Sequence, residues 1–300
     1  MIQPQNLQLG DLIGIVCPAG SIPMERVQKC VETLIQWGYQ VKLGTTVGSK
    51  NNSFSATDAE RALDLQQMLD DSSVKAILCG RGGYGVSRII QNIDFCGFQK
   101  QPKWVIGFSD ITVLHAALQK TGVVSIHGPM AAAFNKGAEG EPYIQALKTI
   151  LEGGKTVYTT VLHPFNMLGT ATAPIVGGNL CMMAHLIGSA NSFDTAGKLL
   201  FIEDIGEYHY NLDRLMIQLK QAGMFEKLAG LIVGGFTDMK DPSTDFGANA
   251  NEIIQSHVKE YDYPICYDFP ISHATSNYPV IEGGIYTLSV TSDEVSLALN

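Results

Sequence analysis

The chain has no cluster of lysine and arginine, and its 20 basic residues are outnumbered by 29 acidic ones, for a formal charge of −9. An acidic chain without a basic stripe cannot neutralise a run of phosphates, which argues against nucleic acid as a partner. Long apolar runs are missing too. The first, Leu12 to Cys17, is too short for a signal segment or a membrane span, and Met1 to Gln8 carry no basic side chain ahead of it. A cytoplasmic protein with no membrane contact is expected. Six cysteines (Cys17, Cys30, Cys79, Cys96, Cys181, Cys266) are scattered, with no Cys-x-x-Cys and no paired spacing. They read as buried, reduced thiols rather than disulfides or metal ligands. No His-Glu-x-x-His or similar ligand spacing occurs, so no metal is expected, and there is neither an internal repeat nor a low-complexity segment.

What is present is apolar bulk. With 45% hydrophobic and 16% charged residues over 300 positions, the chain can bury a large core, as one large domain or two ordinary ones. The first half alternates short apolar runs with amphipathic stretches. Leu12 to Val16 reads as a buried strand, followed by a helix from about Pro23 to Trp37 with Ser21 as candidate cap. Thr57-Asp58-Ala59-Glu60 has the spacing of a capping box and opens a second helix. Strands follow at Ala76 to Cys79, Trp104 to Ile106 and Val123 to Ile126, with a helix from Ile111 to Gln119 between the last two. Such alternation implies an α/β domain over 1–150, a mostly parallel sheet covered by helices on both faces. The rhythm fails from about Leu151 to Leu168, where Gly153-Gly154 and His163-Pro164 act as breakers, so 151–170 is read as a linker. The second domain, 171–300, keeps a helix at Leu212 to Ala222 among strands at Leu199 to Ile202, Leu231 to Val233, Ile265 to Tyr267, Ile285 to Val290 and Val295 to Leu299. The last two suggest a hairpin across Thr291 to Glu294, and the whole reads as strand-rich α+β.

The strongest chemical signal is Trp104-Val105-Ile106-Gly107-Phe108-Ser109-Asp110, a strand that ends in a serine just before a helix. A serine on such a turn is lifted to the positive end of a helix, where its hydroxyl is exposed and the next backbone N–H, that of Asp110, can stabilise an oxyanion. The motif departs from Gly-x-Ser-x-Gly because Ile111 replaces the second glycine, and Ser109 could equally cap its helix. The second signal is Gly80-Arg81-Gly82-Gly83-Tyr84-Gly85, at the carboxyl end of a parallel strand, where open α/β sheets bind ligands. Gly82 and Gly83 permit close backbone approach, Arg81 could pair with a carboxylate, and the run could also be a structural turn. It spells neither Gly-x-Gly-x-x-Gly nor a P-loop, and no cofactor is expected.

A serine nucleophile needs a base and a group that orients it. Among seven histidines, His115 sits too far along the helix to return to the turn, whereas His127 ends the strand expected beside that of Ser109. His273 lies in a long polar loop between Pro270 and Pro279. His163, His185, His209 and His257 look structural or solvated. Acids concentrate at Glu203 and Asp204, at the end of the apolar strand Leu199 to Ile202. Alternation sends these two to opposite faces, and spacing does not say which faces a site.

Arg81-Gly82-Gly83-Tyr84-Gly85, Gly107-Phe108-Ser109-Asp110, His127-Gly128-Pro129, Gly177-Gly178-Asn179-Leu180, Phe201-Ile202-Glu203-Asp204 and His273 with Asn277 occur in that order over nearly the whole chain. Together they resemble the LD-carboxypeptidase family of serine peptidases, whose relatives include the microcin C immunity peptidases. The resemblance implies a serine carboxypeptidase with Ser109 as nucleophile, His273 as base and Glu203 as its orienting acid. It also implies an N-terminal parallel α/β domain joined to a smaller strand-rich, barrel-like C-terminal one, and a homodimer. The implied substrate is a small peptide, the murein tetrapeptide, which would lose its terminal D-alanine during cell-wall recycling. Alternatives are hydrolysis of a peptidyl-nucleotide antibiotic of the microcin C type, and a non-catalytic peptide- or nucleotide-binding protein. One departure stands out: Ser272 precedes the histidine where the family commonly has glycine, and Tyr278 to Gly283 replace its Leu-Pro-x-Gly stretch.

Overall fold

The computed structural model describes residues 1–300, which divide into two compact units. Unit 1 holds Met1–Gly154 together with Tyr278–Gly283, and unit 2 holds Lys155–Asn277 with Gly284–Asn300.

In unit 1, strands and helices alternate as β1 (Leu12–Val16), α1 (Met24–Gln36), β2 (Gln40–Leu43), α2 (Asp58–Asp70), β3 (Val74–Cys79), α3 (Val86–Ile89), α4 (Cys96–Lys100), β4 (Trp104–Gly107), α5 (Thr112–Lys120), β5 (Ser125–His127) and α6 (Glu141–Leu151). Unit 2 continues with β6 (Val157–Thr160), β7 (Gly169–Asn179), α7 (Leu180–Leu186), β8 (Leu199–Ile205), α8 (His209–Gln221), β9 (Gly230–Thr237), α9 (Ala250–Val258) and β10 (Ile265–Cys266). The chain then contributes β11 (Val280–Glu282) to unit 1 before finishing unit 2 with β12 (Ile285–Val290) and β13 (Val295–Leu299).

The first sheet has the order β11-β5-β4-β3-β1-β2, with every pair parallel except β11 against β5. Its central strands are buried on both faces, as their unbroken apolar runs require. The edge strand β2, largely exposed, carries too few apolar residues to announce itself. Chain order reverses between β1 and β3, and in open α/β sheets that switch point, at the carboxyl ends of the strands, is where ligands bind. The loops carrying Gly20 and Gly82 both leave from there, and Gly20 N–H donates to the Gly82 carbonyl at 2.9 Å.

Helix α2 opens on the capping box expected at Thr57, whose side chain accepts from Glu60 N–H while the Glu60 carboxylate accepts from Thr57 N–H. The cap expected for α1 does not form. Pro23 is the N-cap, without a side-chain bond, and Ser21 lies before it, its N–H donating to the Ser53 carbonyl. The β5 run is displaced from the expected Val123 to Ile126, because Val123 pairs with Ile2 of the N-terminal segment and the sheet strand begins at Ser125. Of the six cysteines, all free thiols, four are buried, while Cys181 is half-buried and Cys96 exposed.

The second sheet runs β10-β9-β8-β7-β12-β13-β6. Strands β7 to β10 pair in parallel, and β7, β12, β13 and β6 pair antiparallel, including the terminal hairpin closed by Thr291 N–H on the Glu294 carbonyl at 3.0 Å. The strand-rich character is as expected, but the pairing runs from one free edge to another, so this sheet is open and not a closed barrel. No helix is long and apolar enough to cross a membrane.

Candidate active site

In unit 1 the backbone does most of the shaping. Ser109 stands at φ +65°, one of four non-glycine residues with positive φ, and is half-buried. That conformation costs about 1–3 kcal/mol for a residue with a Cβ and persists only where the surroundings impose it. It follows from the abrupt passage of β4 into a single 3-10 turn, Ser109–Ile111, that leads into α5. Neither that turn nor α5 has a side-chain cap bond, so Ser109 does not serve as a helix cap. Asp110 is buried, and its Oδ2 accepts the N–H of Val86, the first residue of α3, at 2.8 Å. That bond ties the serine turn to the end of the glycine loop. Gly82 lies so close that a Cβ on it would be 2.8 Å from the Ser109 Cβ and 3.0 Å from its Oγ. Only glycine fits there. Arg81 is exposed, and its Nη1 donates to the Ser21 carbonyl at 2.9 Å.

Two histidines support this turn from below. His115 is fully buried, with Nε2 at 2.9 Å from the Gly107 carbonyl and Nδ1 at 2.8 Å from Ser125 Oγ. Burial pushes its ring down to about 4, so it is neutral at pH 7 and joins the ends of β4 and β5. His127, paired with Gly107 in the sheet, is also fully buried, packed beside Phe108 and His115.

In unit 2 the arrangement is ionic. Glu203 is completely buried at the end of β8, and its Oε2 lies 2.6 Å from His273 Nδ1. The imidazole keeps only 12% of its surface exposed. A carboxylate on Nδ1 selects the tautomer that leaves Nε2 as the basic nitrogen. Asp204 takes other partners: Oδ1 accepts from Asn179 Nδ2 at 2.7 Å and from Ile205 N–H at 2.8 Å, and Oδ2 from Cys181 N–H at 3.0 Å. Asn179 in turn caps α7 through Met182 N–H at 3.2 Å. Burial first, then the charge of Glu203, pushes the Asp204 carboxyl up to about 7. The two adjacent acids thus divide, as alternation requires: one meets the histidine and the other anchors the start of a helix.

The loop that carries His273 is held against β9 by two glycines with no role in the sequence reading. A Cβ on Gly234 would lie 2.2 Å from the Ile271 carbonyl, and one on Gly235 2.6 Å from the Ser272 Cβ. Gly235 N–H donates to that Ile271 carbonyl at 3.0 Å. Ser272, the residue that departs from the usual glycine, is buried. Its Oγ donates to the Ser276 carbonyl at 2.8 Å and accepts from Ala274 N–H at 3.0 Å, closing the loop around His273. Glycine pairs next to an apolar strand are the signal that could have pointed to this contact. The remaining histidines sit apart from Glu203 in unit 2: His209 bonds Asp241 and His257 bonds Asp213, at 2.8 and 2.7 Å, His163 stacks on Tyr267, and His185 is exposed.

Unit 1 thus carries a strained serine turn on an open, mostly parallel sheet, and unit 2 a buried acid–histidine pair on an open mixed sheet, a mixed α/β fold whose family is that of peptidase hydrolases. Residues 13–128 match the LD-carboxypeptidase N-terminal domain and residues 172–288 the LD-carboxypeptidase C-terminal domain, and the chain belongs to that family. It is 34% identical to the probable murein peptide carboxypeptidase of Bacillus subtilis over 282 residues, 93% of this chain and 88% of that protein. The solved muramoyltetrapeptide carboxypeptidase of Oxalobacter formigenes superposes with a TM-score of 0.88 at 28% identity, covering 96% of this chain and 98% of the other. The microcin C7 self immunity protein MccF shares the fold, with a TM-score of 0.89 at 20% identity over 100% of this chain and 99% of its own.

Proposed function

We propose that this protein is a serine LD-carboxypeptidase that hydrolyses the amide bond releasing D-alanine from the C-terminus of murein tetrapeptide, with Ser109, His273 and Glu203 as its catalytic groups. The observation that carries the reading is the bond between buried Glu203 and His273, the pairing a serine hydrolase uses to hold its base. His273 Nε2 takes the proton of Ser109 Oγ as the oxygen bonds to the scissile carbonyl carbon. The N–H groups of Asp110 and of the Gly82-Gly83 loop hold the resulting oxyanion, and Glu203 stabilises the imidazolium. The intermediate collapses as His273 returns the proton to the leaving amine of D-alanine. Water, activated by the same histidine, then cleaves the acyl-enzyme. Arg81, exposed beside this loop, is proposed to pair with the substrate's terminal carboxylate.

The substrate class rests on the relatives, whose names specify murein peptide and muramoyltetrapeptide. Recycling of cell-wall peptides would place the reaction in the cytoplasm, and family habit makes a homodimer the expected assembly. The likeness to MccF stands at 20% identity and supports the fold alone.

The test is release of free D-alanine from murein tetrapeptide, with and without chelator, by the wild type, Ser109→Ala and His127→Ala. Chelator-resistant release that is lost in Ser109→Ala and largely kept in His127→Ala is the expected result. Loss with His127→Ala and retention with Ser109→Ala would reassign the chemistry, and no release by folded wild type would remove this substrate.

A further inference from the structure

We propose that Arg61, in the first turns of α2, is a positioning residue that holds the oxyanion-binding wall opposite Ser109, an inference that rests on the reading of Ser109 as nucleophile. Its side chain is fully buried, which is unusual for an arginine, and its guanidinium bonds three separate carbonyls. Nη1 donates to Pro18, in the loop after β1, at 2.5 Å and to Gly85, at the end of the glycine loop after β3, at 3.0 Å. Nε donates to Ala56 at 3.3 Å, Nη2 meets the Asp58 carboxylate at 2.5 Å, and the cation lies 4.9 Å from the Phe54 ring centroid. One cation thus clamps both loops that leave the switch point of the sheet.

The clamp bears directly on the serine turn. The loop after β1 carries Gly20, whose N–H bonds the Gly82 carbonyl, and Gly82 is the residue packed against Ser109. At the other end, Gly85 gives way to Val86, whose N–H is fixed by Asp110, the neighbour of Ser109. Gly85 itself has φ +143°, and a Cβ there would fall 2.5 Å from Arg61 Nη1, so loop and guanidinium are fitted to one another. Burying a charge merely to stabilise a fold is inefficient, because apolar packing of similar volume does as well or better. A planar fork that aims several donors in fixed directions is what positioning three carbonyls needs, and a lysine ammonium cannot supply it.

Arg61→Lys keeps the charge and loses the fork. In folded protein, with the melting temperature checked above the assay temperature, kcat is expected to fall about 10²-fold from misplacement of the oxyanion donors, while KM moves little. Inactivation by a serine-directed phosphonate, whose adduct needs the same donors, should slow in parallel. A folded Arg61→Lys with kcat within about twofold of wild type would overturn the proposal, that being the scatter of a surface change. Should that variant not fold, Asp58→Ala, which removes the partly exposed acceptor of Nη2, replaces it: a drop in kcat at constant KM supports the clamp and unchanged kcat overturns it. Ser109→Ala separates the two readings. If it stays active the nucleophile assignment fails, whereas an inert Ser109→Ala beside a fully active Arg61→Lys removes only Arg61.

Discussion

The serine turn of unit 1 and the acid–histidine pair of unit 2 are built by different means. In unit 1 the geometry is held in the backbone: a positive φ at Ser109, a glycine in van der Waals contact with it, and a neutral histidine joining two strands. In unit 2 it is held in ionisable side chains: Glu203 on His273, and Asp204 on Asn179 and the start of α7. The contrast teaches that the two halves should fail differently. Steric changes should damage the first most, and changes of side-chain charge the second.

The sharpest test is on the ionic half. Under the proposed mechanism Glu203→Gln keeps the shape but releases the tautomer of His273, and kcat for D-alanine release should fall about 10⁴-fold with the fold intact. A loss under tenfold would mean that the pair is structural. On the steric half, Gly82→Ala places a methyl group 2.8 Å from the Ser109 Cβ and should lower kcat/KM about 10²-fold, with no change in the pH profile.

A titration of stability separates the halves by sign. The Asp204 carboxyl, raised from 3.8 to about 7, favours its protonated form in the folded state. Its contribution is therefore full below pH 4 and lost as pH rises to 7, and Asp204→Asn should flatten that part of a melting-temperature profile. His115, lowered from 6.5 to about 4, works oppositely: its contribution is present above pH 6.5 and lost as pH falls toward 4. Equal profiles for wild type and Asp204→Asn between pH 4.5 and 8 would remove the first claim. The smallest effect expected is a gain. Ser109→Gly relieves the left-handed strain and should raise unfolding free energy by about 1 kcal/mol in urea while abolishing turnover. No gain would show that the turn is not strained.

Much of this was legible along the chain where chemistry is local. The capping box at Thr57, the buried strands around Trp104 and the terminal hairpin follow from patterns a few residues long. The turn Gly107-Phe108-Ser109-Asp110 was visible as a serine between strand and helix, although not its positive φ. Other features had no local pattern. Val280–Glu282 is only three residues long and joins unit 1 from within the second half of the chain, so periodicity is silent there. Nothing local marks Arg61 as buried, because its partners Pro18 and Gly85 lie 43 and 24 positions away.

What the sequence by itself determined is the set of elements and the residue types offered at their ends: glycines after β3, a serine after β4, two acids at the end of β8, a histidine in a polar loop. Spacing left open which of the two acids meets the histidine and the resemblance implied Glu203, but the bond itself, and the buried arginine on the glycine loop, appear only in the tertiary structure. The physical reason is range. Propensity, capping and alternation act over a few residues, whereas a hydrogen bond between residues 70 apart exists only once strands have been brought side by side.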